Sequence, residues 1–165
     1  MNQDTKQCTK CAEILPLSAF EQVCRNNRET NYNSQCKDCR HKKNQEHFST
    51  FDGFINRLYL SLKHNAATRS KDLSIEITED DIKDLYKKQD GLCVLTGIKM
   101  THLAYQTNVN NRKINNYNIS IDRINSSKGY TKDNVQLVCA AVNIMKSDLT
   151  EDELLLLAHS ICAKN

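Results

Sequence analysis

The stretch SIDRINSSKGYTKDNVQLVCAAVNIMK, residues 120–146, decides the fold of this chain. The mainly apolar segments 119–121 (ISI) and 135–138 (VQLV) predict two short strands, and the polar, glycine-containing segment between them predicts the turn of a hairpin. The next residues predict a helix through Asn143 and Lys146. A hairpin that leads directly into a helix directs a few polar side chains to one place. The polar side chains at the ends of these elements are Asp122, Arg123, Asn134 and Asn143.

These residues resemble the ββα-metal, or HNH, nuclease motif in its common phage-encoded form. In that family an acidic residue and a histidine end the first strand, an asparagine fixes the loop, and a histidine or asparagine follows on the helix. Here Asn143 lies nine residues after Asn134, the usual interval in the family. The resemblance implies that Asp122 and Asn143 hold one divalent cation, Mg²⁺ or Mn²⁺, and that Asn134 braces the loop. Oxygen ligands suit Mg²⁺, and such an ion can polarise a phosphate.

Arg123 occupies the position where the family carries its general base, a histidine. A guanidinium stays protonated, so it cannot take a proton from water. It can bind a phosphate through two parallel hydrogen bonds and stabilise charge in the transition state. The sequence SIDRI resembles a variant found in many phage HNH-like proteins. His102 is a candidate substitute base, with a surface histidine as the alternative interpretation.

Length and charge are consistent with one ordinary domain, a small module and a polyanionic partner. The chain has 165 residues, a hydrophobic fraction of 39% and no Trp, which predicts a modest core. The net charge of +3 is unevenly distributed, because residues 1–70 carry 11 Lys/Arg against 7 Asp/Glu and the remainder carries 12 against 13. The N-terminal half is therefore the expected surface for DNA.

No run of 18 apolar residues is present, and the first ten residues lack an apolar signal core. We therefore expect no membrane partner and a cytoplasmic location, in the host cell if the gene is carried by a phage. In a reducing compartment, paired Cys-x-x-Cys sequences predict a metal site before a disulfide.

Two such pairs, Cys8 with Cys11 and Cys36 with Cys39, are separated by 24 residues. Four thiolates complete a closed tetrahedral site, which predicts a structural Zn²⁺. The segments KQCTKCAEILPLSAF and SQCKDCRHKKNQ also resemble a small zinc-binding module often found ahead of phage HNH domains. A module of this size cannot fold on apolar burial alone, so we expect the metal to supply its folding free energy.

Basic residues near the second cysteine pair are candidate contacts to DNA phosphates, and a solvated helix face is the alternative. Further candidates are two basic residues in an asparagine-rich segment, which has six Asn from 108 to 118, and a lysine on the last helix of the motif. The predicted DNA-binding residues are Arg40, Lys42, Lys43, Arg112, Lys113 and Lys146.

The predicted fold is α+β with three parts: a zinc-binding module over residues 1–46, a connecting amphipathic helix over 47–70, and an HNH-like nuclease domain over 71–165. Apolar residues at 48, 51, 55, 58 and 62 form one helical stripe, with Ser49 as the expected N-cap. Residues 73–77 alternate like a strand, and Thr78 is expected to cap the next helix. In the resembled family, many domains hold a second zinc with two Cys-x-x-Cys pairs. This chain has Cys93 and Cys139 but Thr96 and Val142 at the partner positions, so we interpret both cysteines as small buried residues.

Two functions remain open from the sequence. The first is a metal-dependent DNA endonuclease of the HNH type, which hydrolyses phosphodiester bonds. The second is a DNA-binding protein that keeps the fold and has lost cleavage together with the histidine. Retention of both cation ligands favours the enzyme, whereas the replacement of the base by Arg123 favours the binding protein.

Overall fold

The computed structural model describes residues 4–25, 29–69, 73–103, 107–108, 111–112 and 115–164. The contacts divide the chain into two units, Met1–Phe48 and Ser49–Asn165. Helices and strands occur in both units, which confirms the expected α+β class. The finer partition at residues 46 and 70 stays a prediction. In these described ranges, no helix has the length and hydrophobicity needed to span a bilayer.

The first unit consists of two antiparallel hairpins followed by a helix. Its buried core holds Cys8, Phe20 and Cys36, with Leu15 and Tyr32 packed against them. One aromatic side chain and two thiols bury too little apolar surface to hold such a unit together without help. The elements are β1 (Thr5–Gln7), β2 (Ile14–Pro16), a 3₁₀ turn (Leu17–Ala19), β3 (Gln22–Arg25), β4 (Glu29–Tyr32) and α1 (Lys37–Ser49).

The second unit packs helices against a central hairpin. Its core combines Phe54 and Ile55 from the first helix of the unit with Leu137 and Val138 from the hairpin. The elements are α2 (Phe51–Arg69), α3 (Glu79–Lys88), β5 (Thr107–Asn108), β6 (Asn111–Arg112), β7 (Ile119–Arg123), β8 (Val135–Cys139), α4 (Ala140–Lys146) and α5 (Glu151–Cys162).

The predicted hairpin and helix are confirmed. Strand β7 pairs antiparallel with β8, from Ile119 opposite Cys139 to Arg123 opposite Val135. Both strands are slightly longer than expected, and every residue of β8 is buried. Helix α4 begins at Ala140, directly after β8. The ββα order therefore follows from the residues at 119–146.

The connecting helix begins differently from the prediction. The helical conformation is interrupted at Thr50, between α1 and α2. The hydroxyl Oγ1 of Thr50 accepts a hydrogen bond of 3.1 Å from the N–H of Gly53. Thr50, and not Ser49, therefore occupies the capping position, because Ser49 ends the preceding helix. The predicted apolar stripe does face the core, where Ile55 and Leu62 are buried.

The strand predicted at residues 73–77 is not formed. Instead, Ile75 makes an isolated parallel bridge with Tyr130 in the hairpin loop. The N–H of Tyr130 donates to the carbonyl of Ser74 at 2.8 Å, and the N–H of Glu76 donates to the carbonyl of Tyr130 at 2.9 Å. A Cβ atom at Gly129 would lie 2.6 Å from the Ser74 carbonyl oxygen, so this close approach needs glycine. The segment thereby fixes the loop between the two strands.

Candidate functional site

The four predicted cysteine ligands come together in the first unit. The sulfur atoms of Cys8, Cys11, Cys36 and Cys39 all lie within 4.8 Å of one another. Four sulfurs around one zinc ion, each at ~2.3 Å, would be about 3.8 Å apart, so the four sulfurs are near enough to one another to share one ion. His41, which follows the second cysteine pair, is not part of this group, and the side chain of Cys24, between the pairs, lies outside the described residues. The cluster can hold one metal ion.

Backbone amides already stabilise negative charge in this cluster. The N–H groups of Cys11 and Cys36 donate to the sulfur of Cys8 and lower its pKa to about 6. Hydrogen bonding to Cys36, then burial, raises the pKa of Cys39 to about 12. One thiolate is therefore favoured, whereas further ionisation is opposed by the neighbouring sulfurs. A bound cation would remove this opposition, which is the chemistry expected of a four-thiolate metal site.

The predicted DNA-binding residues of α1 occupy different environments. The guanidinium of Arg40 forms an ion pair with the carboxylate of Glu21. Lys42 and Lys43 are exposed on the same helix. In the second unit, Arg112 lies in β6 but its side chain is not among those described, and Lys113 lies outside the described residues.

A cleft of about 390 Å³ lies between the hairpin and α4 in the second unit. Three of the predicted site residues line it: Asp122 and Arg123 from the end of β7, and Asn143 from α4. Because α4 begins directly after β8, the helix lies beside β7, and residues 20 positions apart in the sequence line the same cleft. The remaining lining residues include Ser126, Tyr130, Ser147 and Asp148.

Asp122 is buried, with 4% of its surface exposed, and both of its carboxylate oxygens have partners. The ammonium of Lys146 lies 3.1 Å from Oδ1, and the amide of Gln136 donates to Oδ2 at 2.9 Å. The same amide nitrogen of Gln136 donates to the carboxylate of Glu151 at 2.6 Å. A carboxylate offers about four lone-pair positions, so two such contacts leave acceptor capacity for a cation.

Asn143 is oriented by its amide nitrogen. Nδ2 donates to the hydroxyl of Ser120 at 2.7 Å and to the carbonyl of Ile121 at 3.1 Å. These two bonds fix which end of the amide faces β7, and neither uses the carbonyl oxygen. A carboxylate from Asp122 and an amide oxygen from Asn143, both on one cleft, are donors that suit a hard divalent cation.

Asn134 is buried and holds the hairpin loop through three hydrogen bonds. Its Oδ1 accepts from the N–H of Asn125 at 2.9 Å. Its Nδ2 donates to the carbonyls of Asn125 at 3.1 Å and Gly129 at 2.8 Å. These contacts join the start of β8 to both halves of the loop, which positions the residues at the end of β7. The part that Asn134 plays in activity stays a prediction.

Arg123 lies on the wall of the cleft. Its guanidinium donates to the carbonyl of Lys128 at 3.0 Å and stands 5.1 Å from the centre of the Tyr130 ring. A guanidinium can stack on an aromatic ring while its other N–H groups remain available for a phosphate. The guanidinium of Arg123 is therefore a positively charged group that is already held in position beside Asp122.

Two sequence expectations need correction. His102 does not line the cleft: its ring packs against Phe51 and Phe54 of α2, with centroid distances of 5.6 and 6.4 Å. Its position removes it as a substitute base for this cleft. Lys146 is fully buried and its ammonium contacts Asp122 and the carbonyl of Arg123 at 2.8 Å, so it cannot act as a surface contact to DNA.

Gln136 and the buried role of Lys146 escaped the sequence analysis. Once the register is known, Gln136 stands directly opposite Asp122 on the partner strand, where cross-strand side chains meet. Lys146 follows Asn143 by three positions, which places both on one face of α4. The helical spacing was the available signal for Lys146, whereas Gln136 needed the strand register.

The interpretation of Cys93 and Cys139 as small buried residues is confirmed, since both belong to the core of the second unit. Burial, followed by the neighbouring Cys93, raises the pKa of Cys139 to about 11. A neutral thiol in this place contributes packing and not metal chemistry.

No family model and no curated protein matches the chain. Among solved structures, it is similar to the rare-cutting HNH restriction endonuclease PacI, with a TM-score of 0.47 and 20% sequence identity over 94% of this chain and 92% of that chain. A similarity of this strength carries no argument about function. The functional assignment depends on the geometry of the cleft and the cysteine cluster.

Proposed function

We propose that the chain is a metal-dependent DNA endonuclease of the HNH type that hydrolyses phosphodiester bonds. The observation that carries the proposal is the convergence of Asp122, Arg123 and Asn143 on one cleft at the junction of a hairpin and a helix. A carboxylate, an amide oxygen and a guanidinium are the groups needed to hold a divalent cation and a phosphate side by side.

Each residue has a distinct role in this proposal. Asp122 and Asn143 would hold Mg²⁺ or Mn²⁺, and a bound ion would supply charge that polarises a phosphate and stabilises a leaving oxygen. Arg123 binds a non-bridging phosphate oxygen and stabilises the charge that develops in the transition state. Asn134 keeps the loop in place, so that Arg123 and Asp122 stay at fixed positions.

The proton of the attacking water needs an acceptor other than Arg123. The carboxylates that line the cleft belong to Asp122 and Asp148. Because Asp122 is assigned to the cation, we assign the acceptor role to Asp148, which follows α4 and is exposed to solvent. A phosphate oxygen of the substrate is the alternative acceptor.

The second candidate function is a DNA-binding protein without cleavage. Two observations favour it: Arg123 stands in the place of a base, and Lys146 already neutralises Asp122. Binding alone would then depend on the basic residues and on a structural zinc held by Cys8, Cys11, Cys36 and Cys39.

A plasmid-nicking assay in Mg²⁺, Mn²⁺ or EDTA separates the two functions. The wild-type protein should convert supercoiled plasmid to nicked or linear forms only with a divalent ion. Asp122→Asn keeps an oxygen acceptor for Lys146 but weakens the cation site, so cleavage should fall by at least about 10²-fold with DNA affinity preserved. The matched control is Asp84→Asn, an exposed residue of α3. A protein that binds DNA but never nicks it would support the second candidate.

A further inference from the structure

Lys146 is a charged side chain in the interior of the second unit, with none of its surface exposed. Its ammonium lies 3.1 Å from Oδ1 of Asp122 and donates to the carbonyl of Arg123 at 2.8 Å. A buried ammonium is tolerated only when paired and hydrogen-bonded, and both conditions are met here. The Lys146–Asp122 contact is therefore a buried, fully paired part of the cleft and not a surface ion pair.

The ion pair changes what a divalent cation encounters at Asp122. In water, a neighbouring ammonium would be screened, but a pair with side-chain exposures of 1% and 4% is screened little. The carboxylate proposed to hold the cation is thus already neutralised by Lys146. Arg123 adds a second positive charge to the same cleft. Two positive groups beside one carboxylate oppose the entry of a doubly charged ion.

The other carboxylates near the cleft compensate weakly. Glu151 is separated from Asp122 by the amide of Gln136, which donates to both. Asp148 lines the cleft but is exposed, so solvent screens its charge. Among the described residues, no carboxylate other than Asp122 and Asp148 lines the cleft, so we expect further negative charge at the cation site to come from a bound ligand. A DNA phosphate, which Arg123 is placed to bind, carries that charge.

We infer that Lys146 makes cation binding at Asp122 conditional on the presence of a nucleic-acid phosphate, an inference that rests on the proposed endonuclease function. The ammonium weakens the cation site of the free protein, and the phosphate restores the missing negative charge. Binding of the cation and of DNA is then coupled, and the coupling is reciprocal: each ligand tightens the other by the same factor. Cleavage chemistry is thereby confined to the DNA-bound protein.

The test measures Mn²⁺ binding by electron paramagnetic resonance, using the full-length, zinc-loaded protein with and without a phosphorothioate-backbone duplex. In the wild-type protein the duplex should tighten Mn²⁺ binding by about tenfold or more, within the usual range for coupled sites of ~5–150-fold. Lys146→Met should bind Mn²⁺ about tenfold more tightly than wild type without DNA, and should gain less from the duplex. Lys88→Met, which removes an exposed lysine from α3, should behave as wild type.

Replacement of Lys146 by Met leaves the buried carboxylate of Asp122 without its ammonium partner, so the variant is expected to be less stable. Mn²⁺ should then raise its melting temperature more than that of wild type, because an ion that binds only the folded state stabilises it. A Lys146→Met protein that is unfolded alone and refolds with Mn²⁺ would support the inference equally. A variant that stays unfolded in Mn²⁺, or that binds Mn²⁺ no more tightly than wild type, would overturn it.

Failure of the inference and failure of the proposed function give different results. If wild-type protein nicks plasmid in Mn²⁺ but binds the ion equally well with and without the duplex, the function stands and the role of Lys146 is wrong. If no nicking occurs and Asp122→Asn does not change Mn²⁺ binding in the presence of the duplex, the cation site itself is absent.

Discussion

At the scale of single residues, the role of Arg123, in cleavage or only in binding, separates the proposed endonuclease from the proposed DNA-binding protein. Its guanidinium is held by the carbonyl of Lys128 at 3.0 Å and by the ring of Tyr130, so its position on the cleft wall is set before any ligand arrives. A preplaced charge lowers the energy of a transition state because no reorganisation is needed when charge develops. The same fixation also favours phosphate binding, because less side-chain entropy is lost when the ligand binds.

Arg123→Ala should reduce the single-turnover cleavage rate by ~10²–10³-fold, the usual effect of removing one charge-stabilising donor. DNA affinity should change little, because one phosphate contact among many is lost. The measurement is the cleavage rate at saturating protein together with a binding isotherm in Ca²⁺. Lys128→Ala keeps the backbone carbonyl that holds Arg123 and serves as the control. A loss of affinity at an unchanged rate would place Arg123 in binding only.

Arg123→His extends the same prediction, because it introduces the histidine that the resembled family carries at this position. Cleavage should persist, and should exceed that of Arg123→Ala, if an imidazole there can take a proton from water. Activity equal to that of the alanine variant would show that the position has no access to the attacking water.

At the scale of elements, α1 carries exposed positive charge and buries none of its side chains. Its Arg40 is paired with Glu21, whereas Lys42 and Lys43 are solvent-exposed. An exposed basic helix is suited to the sequence-independent part of DNA binding, in which released counterions supply the free energy. We therefore expect α1 to contribute to DNA affinity.

Replacement of Arg40, Lys42 and Lys43 together by Ala should weaken DNA binding on all sequences alike. The slope of log affinity against log salt should become shallower by about 2–3, since each lost phosphate contact removes roughly 0.9 from it. Fluorescence anisotropy between low and moderate salt measures both quantities. A triple replacement of the exposed Lys87, Lys88 and Lys164 provides a control of equal charge. Equal slopes in the two variants would refute the assignment to α1.

Helix α3 gives a prediction about pH. The ammonium of Lys132, 2.7 Å from the carboxylate, and the capping contacts of Thr78 lower the pKa of Asp81 to about 2, from an ordinary 3.8. A carboxyl with a lowered pKa stabilises the fold above its ordinary pKa, and this contribution is lost as the pH falls through the folded value.

The free energies of unfolding of wild type and Asp81→Asn should therefore converge as the pH falls from 3.8 towards about 2. Urea denaturation at each pH measures the difference, and any loss of bound metal in acid affects both proteins equally. Lys132→Met removes the leading cause of the shift, so convergence should be complete closer to pH 3.8 in that background. A difference that stays constant over this range would refute the role of the pair.

At the scale of the whole molecule, the two units differ in what stabilises them. The second unit buries a connected core that includes Phe54, Ile55, Ile77, Ile82, Leu137 and Val138. The first unit buries Phe20 with Cys8 and Cys36, and two of these three residues are candidate metal ligands. Its folding free energy should therefore come from a bound ion, whereas the second unit should fold without one.

Purified protein should contain about one zinc per chain by elemental analysis, with zinc–sulfur distances of ~2.3 Å by X-ray absorption. Cys36→Ser should lose the ion and the dispersed amide signals of residues 4–48, while the second unit keeps its own. Cys162→Ser, at an exposed cysteine of α5, is the control. Native zinc content in Cys36→Ser, or full zinc loss with an unchanged first unit, would contradict the prediction.

The sequence by itself determined those features that depend on short-range pattern. The Cys-x-x-Cys pairs predicted the cluster, because the two cysteines of each pair are close in sequence and only one loop has to close to bring the pairs together. The short strand segments on either side of the polar, glycine-containing turn predicted the hairpin that leads into the helix, and the Thr78 cap depends on a residue three positions away. Local chemistry was enough in each case.

Only the tertiary structure decided what surrounds Asp122. Gln136 meets it through the strand register, and Lys146 meets it because α4 folds back beside β7. Packing against α2 likewise takes His102 away from the cleft. The residues next to a lysine in the sequence do not show whether it is exposed or buried, because burial is set by contacts between distant segments. The predicted cation ligands could therefore be named from the sequence, but the charge that opposes the cation could not.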